Sequence, residues 1–333
     1  MMYLQSVELD YIRFAIPVKK TKEQSLIKEN IRNMAKELGI AIDTHYNQIL
    51  HSRNGYEIYC RVPLLSDFNY AKRNEETPHL VIKCSYMHGS RNFLLIECKG
   101  HPYSSKEWYL VRLWLERILG YKLLKKHQNN IYITSFDIAI GVDISIENYL
   151  FDFVWGQKAG WFTAPSGQLE TIYIQPHNKS IEVCIYNRKA KVRNRGVLKK
   201  ITSPSRIELR FGRRKIALDD FFNTLDFLPN AFKRSRVYNL EKIVTQSDLD
   251  EDQIIALQSA GLVPYLRKIS KYRREKIRKQ IKPHLEPTID FSLAKPLWEK
   301  YLKKVKRMRP CAKYTARKYD LLRNEFIFTY FKK

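Results

Sequence analysis

Two short runs of this chain alternate apolar and polar side chains with a period of two: Ile181-Glu182-Val183-Cys184-Ile185-Tyr186 and Arg206-Ile207-Glu208-Leu209-Arg210-Phe211. Successive side chains of a strand point to opposite faces, so each run specifies a strand with one apolar and one polar face. Ile181, Val183 and Ile185 are expected to turn toward packed helices, with Ile207, Leu209 and Phe211 beside them. Glu182, Cys184 and Tyr186 then share the other face with Arg206, Glu208 and Arg210. A third run, Ile133–Ile140, places Phe136, Ile138 and Ile140 inward and leaves Ser135 and Asp137 outward. If the three strands are sheet neighbours, Tyr186, Asp137 and Glu208 lie on one polar surface.

The rest of the chain supplies the frame. Strands are expected over Gln5–Pro17, Tyr56–Val62, His79–Tyr86, Arg91–Cys98 and Thr171–Ile174, with a hairpin turn at Met87–Ser90. Lys19–Leu38 carries Ile27, Ile31, Met34, Ala35 and Leu38 at helical spacing, and Gly39 stops it. Ser104 with Glu107 forms a capping box ahead of a broad apolar stripe from Leu110 to Leu119, and Gly120 ends that helix. Asp219–Leu228 is expected to be a short helix. After about Pro229 strand signals fade and very basic helical sequence follows, punctuated by Pro283, Pro287 and Pro296. These patterns predict an α+β fold: a mostly antiparallel sheet with helices on one face, followed by a basic helical C-terminal region. The expected division is 1–228 and 229–333.

Lys and Arg total 60 against 34 Asp and Glu, a formal net charge of +26 over 333 residues. A field this positive favours a polyanion, and nucleic acid is the commonest one. No apolar run approaches the ~20 residues of a membrane span, no basic amphipathic helix suggests a membrane surface, and the N-terminal residues do not read as a secretion signal. The five cysteines, Cys60, Cys84, Cys98, Cys184 and Cys311, show no metal-binding spacing and read as reduced thiols. Nor do the eight histidines form a metal-binding pair. Within Asp250–Lys282, which reads as a DNA-recognition helical unit, Arg273, Arg274 and Lys276 are the candidate DNA contacts.

On the polar face the residue types suggest phosphodiester chemistry. A tyrosine hydroxyl has a pKa near 10 and is a weak nucleophile unless its proton is removed and the phosphate is polarised. Arg188, Lys189, Arg206 and Arg210 are candidate phosphate cations. Asp137, Glu208 and Glu97, the last at the end of an apolar strand, are hard oxygen donors of the kind magnesium or manganese takes. Each residue also has a structural reading. Tyr186 can be an amphipathic edge residue, Asp137 a strand-end carboxylate, Glu208 half of a cross-strand ion pair, and Glu97 a partner of Lys99.

The order of these elements resembles the rolling-circle replication initiators, the replication endonucleases of filamentous phages and the related plasmid proteins. Phe93–Gly100 supplies a strand with Glu97, Ile133–Ile140 a strand with Asp137, and Thr171–Ile174 the strand before Ile185-Tyr186-Asn187-Arg188-Lys189. Arg206-Ile207-Glu208-Leu209-Arg210 follows. The likeness spans roughly residues 80–228. The chain departs from the plasmid pattern after Ile174, where Gln175-Pro176-His177 replaces the usual Gly and Ser. The resemblance implies that Tyr186 attacks one DNA strand at an origin, keeps a 5′-phosphotyrosine and frees a 3′-hydroxyl primer. It also implies a Mg2+ or Mn2+ ion held by Glu97, Asp137 and Glu208, a host helicase and polymerase as partners, and a place in the bacterial cytoplasm. Two alternatives stay open: a non-catalytic DNA- or RNA-binding protein, and a relaxase or transposase with the same chemistry.

Overall fold

The structure, a computed structural model, describes residues 4–37, 56–64, 78–86, 93–99, 103–153, 159–165, 169–175, 181–188, 190, 203–212, 214–223, 235–286 and 291–306. In chain order the first elements are β1 (Leu4–Ile16), α1 (Thr21–Glu37), β2 (Tyr56–Pro63), β3 (His79–Tyr86), β4 (Leu94–Lys99), α2 (Ser105–Leu119), α3 (Tyr121–His127) and β5 (Tyr132–Val142). Then come β6 (Tyr149–Phe153), β7 (Ala159–Thr163), β8 (Leu169–Ile174), β9 (Ile181–Asn187), β10 (Ser205–Phe211), β11 (Ile216–Ala217) and α4 (Leu218–Asn223). The last are β12 (Ser235–Asn239), α5 (Leu240–Gln246), α6 (Glu251–Ala260), α7 (Leu262–Lys268), α8 (Lys271–Ile281), β13 (Leu285–Glu286) and α9 (Phe291–Val305). The architecture is α+β, with antiparallel pairing in every register described below.

Two compact units divide the chain. One holds Met1–Glu8, Asp137–Arg213 and Thr224–Glu299; the other holds Leu9–Phe136, Arg214–Asn223 and Lys300–Lys333. The units therefore interleave along the chain instead of meeting near residue 228. Strands β1 and β5 are each shared out between them.

In the unit built around Leu9–Phe136, β2, β3, β4 and β1 follow one another as antiparallel neighbours. Ile12 faces Cys98 and Ile16 faces Leu94 across β1 and β4, and all four are fully buried. Helix α1 buries Ile27, Ile31, Met34 and Ala35, the stripe its sequence spacing predicts. Asn30 Nδ2 donates to the Ile118 carbonyl at 3.0 Å and ties α1 to the end of α2.

The start of α2 is fixed by the expected capping box. The Glu107 amide donates to Ser104 Oγ at 3.3 Å, and the Glu107 carboxylate accepts from the Ser104 amide. Behind the cap, the fully buried Trp108 packs on Tyr103 at 5.0 Å between ring centroids. Ser104→Ala should lower unfolding free energy by about 1 kcal/mol in urea denaturation, because the Glu107 amide loses its Oγ acceptor.

The unit containing Asp137–Arg213 carries the antiparallel run β10-β9-β8-β7. It also holds a three-stranded sheet in the order β13-β12-β6. Val237 of β12 faces Phe151 on one side and Glu286 on the other. Helices α5 to α8 close over this small sheet through one core of Leu150, Tyr238, Ile243, Leu249, Leu257, Leu262, Leu266, Ile277 and Ile281. The segment expected to be a separate helical region thus contributes two strands, and it packs on Leu150 of β6. Pro296, expected to punctuate, lies inside α9, whose Trp298, Tyr301, Leu302 and Val305 are buried after it. Among the described residues, no helix is long and apolar enough to cross a membrane.

Candidate active site

Strands β9 and β10 occupy the two runs whose alternation was legible, with Asn187 opposite Ser205 and Ile181 opposite Phe211. This register sets Tyr186 across from Arg206, Cys184 across from Glu208, and Glu182 across from Arg210. On the other flank Thr171 of β8 faces Tyr186, and Tyr173 faces Cys184. All these side chains share one face of the sheet because side-chain direction alternates along each strand.

Tyr186 and Glu208 are diagonal neighbours, within reach of a long side chain. The Tyr186 hydroxyl donates to Glu208 Oε1 at 2.6 Å, a short charge-assisted bond. The second carboxylate oxygen, Oε2, accepts from Arg210 Nη2 at 2.8 Å. Arg210 turns its Nη1 to Glu182 Oε1, also at 2.8 Å. Arg206 lies between two carboxylates, 3.6 Å from Glu208 Oε1 and 3.6 Å from Glu8 Oε1. Arg188 extends from the end of β9 and donates to Ser203 Oγ at 3.3 Å. Lys189 lies outside the described residues.

The cluster is buried: Tyr186 is 4% exposed, Glu208 2% and Arg206 5%. The polar face is therefore covered at Tyr186, Glu208 and Arg206 and half-open at Arg210 and Glu182, and Arg206 and Arg210, expected to await phosphate, are engaged by carboxylates. Burial works against the Arg210 charge, but Glu208, with Cys184 and Asp137 adding to it, outweighs that cost and holds the guanidinium protonated more firmly than an ordinary arginine. Asp137 is thereby placed in the field of Arg210. Burial, with Cys184 next to it, pushes the Tyr173 hydroxyl up in pKa.

The third expected metal ligand has other company. Glu97 on β4 accepts from Lys83 Nζ at 2.9 Å and has Lys99 Nζ at 3.4 Å. Both oxygens of Glu208 are already bonded. Among the described residues no group of three or more His, Cys, Asp or Glu side chains is placed to hold a metal ion. The chemistry below takes no step through a metal ion.

Glu97 instead carries a pH dependence. Burial raises its pKa, but Lys83, Lys99 and Arg13 prevail and set it below the ordinary value of 4.5. A carboxyl lowered in the folded state adds stability above its unfolded pKa, and that stability disappears as pH falls through the folded pKa. Glu97→Gln should therefore flatten the loss of stability below about pH 4.5 and cost stability at neutral pH, as read from denaturant midpoints across pH 3–7.

Tyr173, weighed in the sequence as a second tyrosine or a strand residue, and three residues that the sequence reading did not single out complete the site. Glu182 and Glu8 hold the two arginines. Tyr173 lies 5.8 Å from the Arg210 guanidinium, and Phe162 of β7, 63% exposed, meets the Tyr173 ring edge-on at 5.7 Å. Glu182 was visible as a polar-face position. Its pairing with Arg210 depends on the register between the two strands.

No family model matches the chain, and no curated protein matches it. Among solved structures the chain is similar to a rolling circle replication initiator protein from Geobacillus stearothermophilus. The identity is 12% over 74% of this chain and 90% of that one, with a TM-score of 0.36. A likeness at that level carries no argument about what this chain does.

Proposed function

We propose that this chain nicks and rejoins one strand of DNA as a rolling-circle replication initiator, with Tyr186 as the nucleophile. The observation that carries the reading is the 2.6 Å bond from the Tyr186 hydroxyl to Glu208. A carboxylate at that distance is placed to take the phenolic proton as Oη attacks phosphorus. The Tyr186–phosphorus bond forms and the bond from phosphorus to the 3′-oxygen breaks. The freed 3′-oxygen takes up a proton and becomes a primer hydroxyl, and the 5′-phosphate stays on the tyrosine. Attack by a 3′-hydroxyl reverses the sequence and rejoins the strand. Arg206 and Arg210, both beside Glu208, are the cations for the charge that builds on the phosphate oxygens. Because Tyr186 is buried, a phosphodiester must displace what covers it before reaction.

A net charge of +26 and the exposed cations of α7 and α8 supply the electrostatic hold on DNA. Of the expected contacts there, Arg273 and Lys276 are exposed, whereas Arg274 is half-buried and donates to the Ile269 carbonyl at 3.3 Å.

The burial of Tyr186 favours a second reading, in which the Tyr186–Glu208–Arg210–Glu182 network is a structural cross-strand tie and the chain binds nucleic acid without cutting it. Mass spectrometry after incubation with single-stranded origin oligonucleotides separates the two. The assay is run with magnesium, with manganese and with a chelator. A nucleotide adduct on Tyr186 is the expected result. Tight, salt-sensitive binding with no adduct under any of these conditions selects the second reading.

A further inference from the structure

Helix α8 has two dissimilar faces. Ile277 and Ile281, one turn apart, are buried in the core shared with α5, α6 and α7. Arg274 and Arg278 flank them, half-buried. Arg274 donates to the Ile269 carbonyl, and Arg278 lies in the field of the buried Asp152 carboxylate. The opposite face carries Tyr272, Lys276 and Lys279 at positions i, i+4 and i+7, which align along one side of a helix.

Tyr272 is 78% exposed, more than any other large hydrophobic side chain among the described residues. Along the segment from Arg267 to Lys282 lie seven exposed cations, Arg267, Lys268, Lys271, Arg273, Lys276, Lys279 and Lys282, against one exposed carboxylate, Glu275. A ring held in water on a rigid, cationic helix has an open π-face beside a phosphate-attracting surface. Bases inside an intact duplex are already stacked and offer that ring nothing, whereas an unpaired base does.

We propose that the outward face of α8 is a single-stranded nucleic-acid platform, with Tyr272 stacking on an unpaired base and Lys276 and Lys279 holding the flanking phosphates. The platform requires a nucleic-acid partner but not strand cleavage. A chain that binds through Tyr272 and forms no adduct removes the nicking reading and leaves the platform standing.

The test is fluorescence anisotropy of the full chain with a labelled oligothymidylate of about 20 nucleotides and with a duplex of equal length, over a salt series. Tyr272→Ala should weaken the single strand by about 5- to 150-fold, leave its salt slope unchanged and spare the duplex. Tyr272→Phe should bind as the parent does. Lys276→Ala and Lys279→Ala should each reduce the salt slope by about 0.7. Unchanged affinity in Tyr272→Ala overturns the proposal. So does a loss in Tyr272→Phe as large as that in Tyr272→Ala, since the contact is then a hydroxyl on phosphate, and so does equal weakening of the duplex. Thermal melts of each variant confirm the fold, which an exposed position should leave intact.

Discussion

Tyr186→Phe should leave no covalent adduct and no relaxed product from supercoiled origin DNA, a fall of roughly 10^4-fold or more, as expected when a covalent nucleophile is removed. The phenyl ring preserves the packing of β9 and deletes one oxygen. The same deletion takes a donor from the buried Glu208 carboxylate, so the variant should also lose about 1–3 kcal/mol of stability. Activity must therefore be compared at a temperature where both proteins are folded, with oligonucleotide affinity as a control that should not move. Tyr173→Phe is the matched comparison, because Tyr173 lies on the same face but across from Cys184, whereas the Tyr186 hydroxyl donates to Glu208; it should retain the adduct. An adduct that survives in Tyr186→Phe would remove this residue from the chemistry.

The parts of this arrangement that were legible in the sequence are local. Alternation within six residues was enough to place β9 and β10 and to put Tyr186, Glu208 and Arg210 on one face. The Ser104–Glu107 box marked the start of α2, because a cap involves residues only three apart. What was hidden is non-local. Alternation says which face a side chain takes and nothing about what covers that face, so the burial of Tyr186 and Glu208 could not be read. Glu8 reaches Arg206 from a strand far away in sequence. The change of texture after residue 229 reflects surface composition, whereas unit membership follows the core. Tyr238 and Ile243 share that core with Leu150, and β12 is a five-residue strand whose identity comes from pairing with β6. Strand β7 begins Ala-Gly and carries no clean alternation, so its place as the partner of β8 had no sequence signal. Pro296 argues locally against a helix interior, and the buried residues that follow it in α9 override that preference.

Glu208→Ala should be the most damaging single change to stability on this face. Glu208 is 2% exposed and serves the Tyr186 hydroxyl and Arg210 together, with Arg206 close by. Removing one member of a buried ion pair leaves the others desolvated without compensation, a loss usually of about 3–5 kcal/mol. Here the loss should be somewhat smaller than that range, about 2–4 kcal/mol, because the Arg210 side chain is 33% exposed and retains Glu182. Glu182→Ala should cost much less, since Arg210 then keeps its bond to Glu208. Glu208→Gln keeps an acceptor for Tyr186 and loses the charge, so it should fall between the two. A double-mutant cycle of Glu208→Ala with Arg210→Ala, read in denaturant, should give a coupling of about 0.5–3 kcal/mol. A wild-type midpoint in Glu208→Ala would mean that the carboxylate is not the hub of the network. The Gln variant also separates structure from chemistry: folded and able to bind DNA but unable to form the adduct, it would identify Glu208 as the group that takes the tyrosine proton.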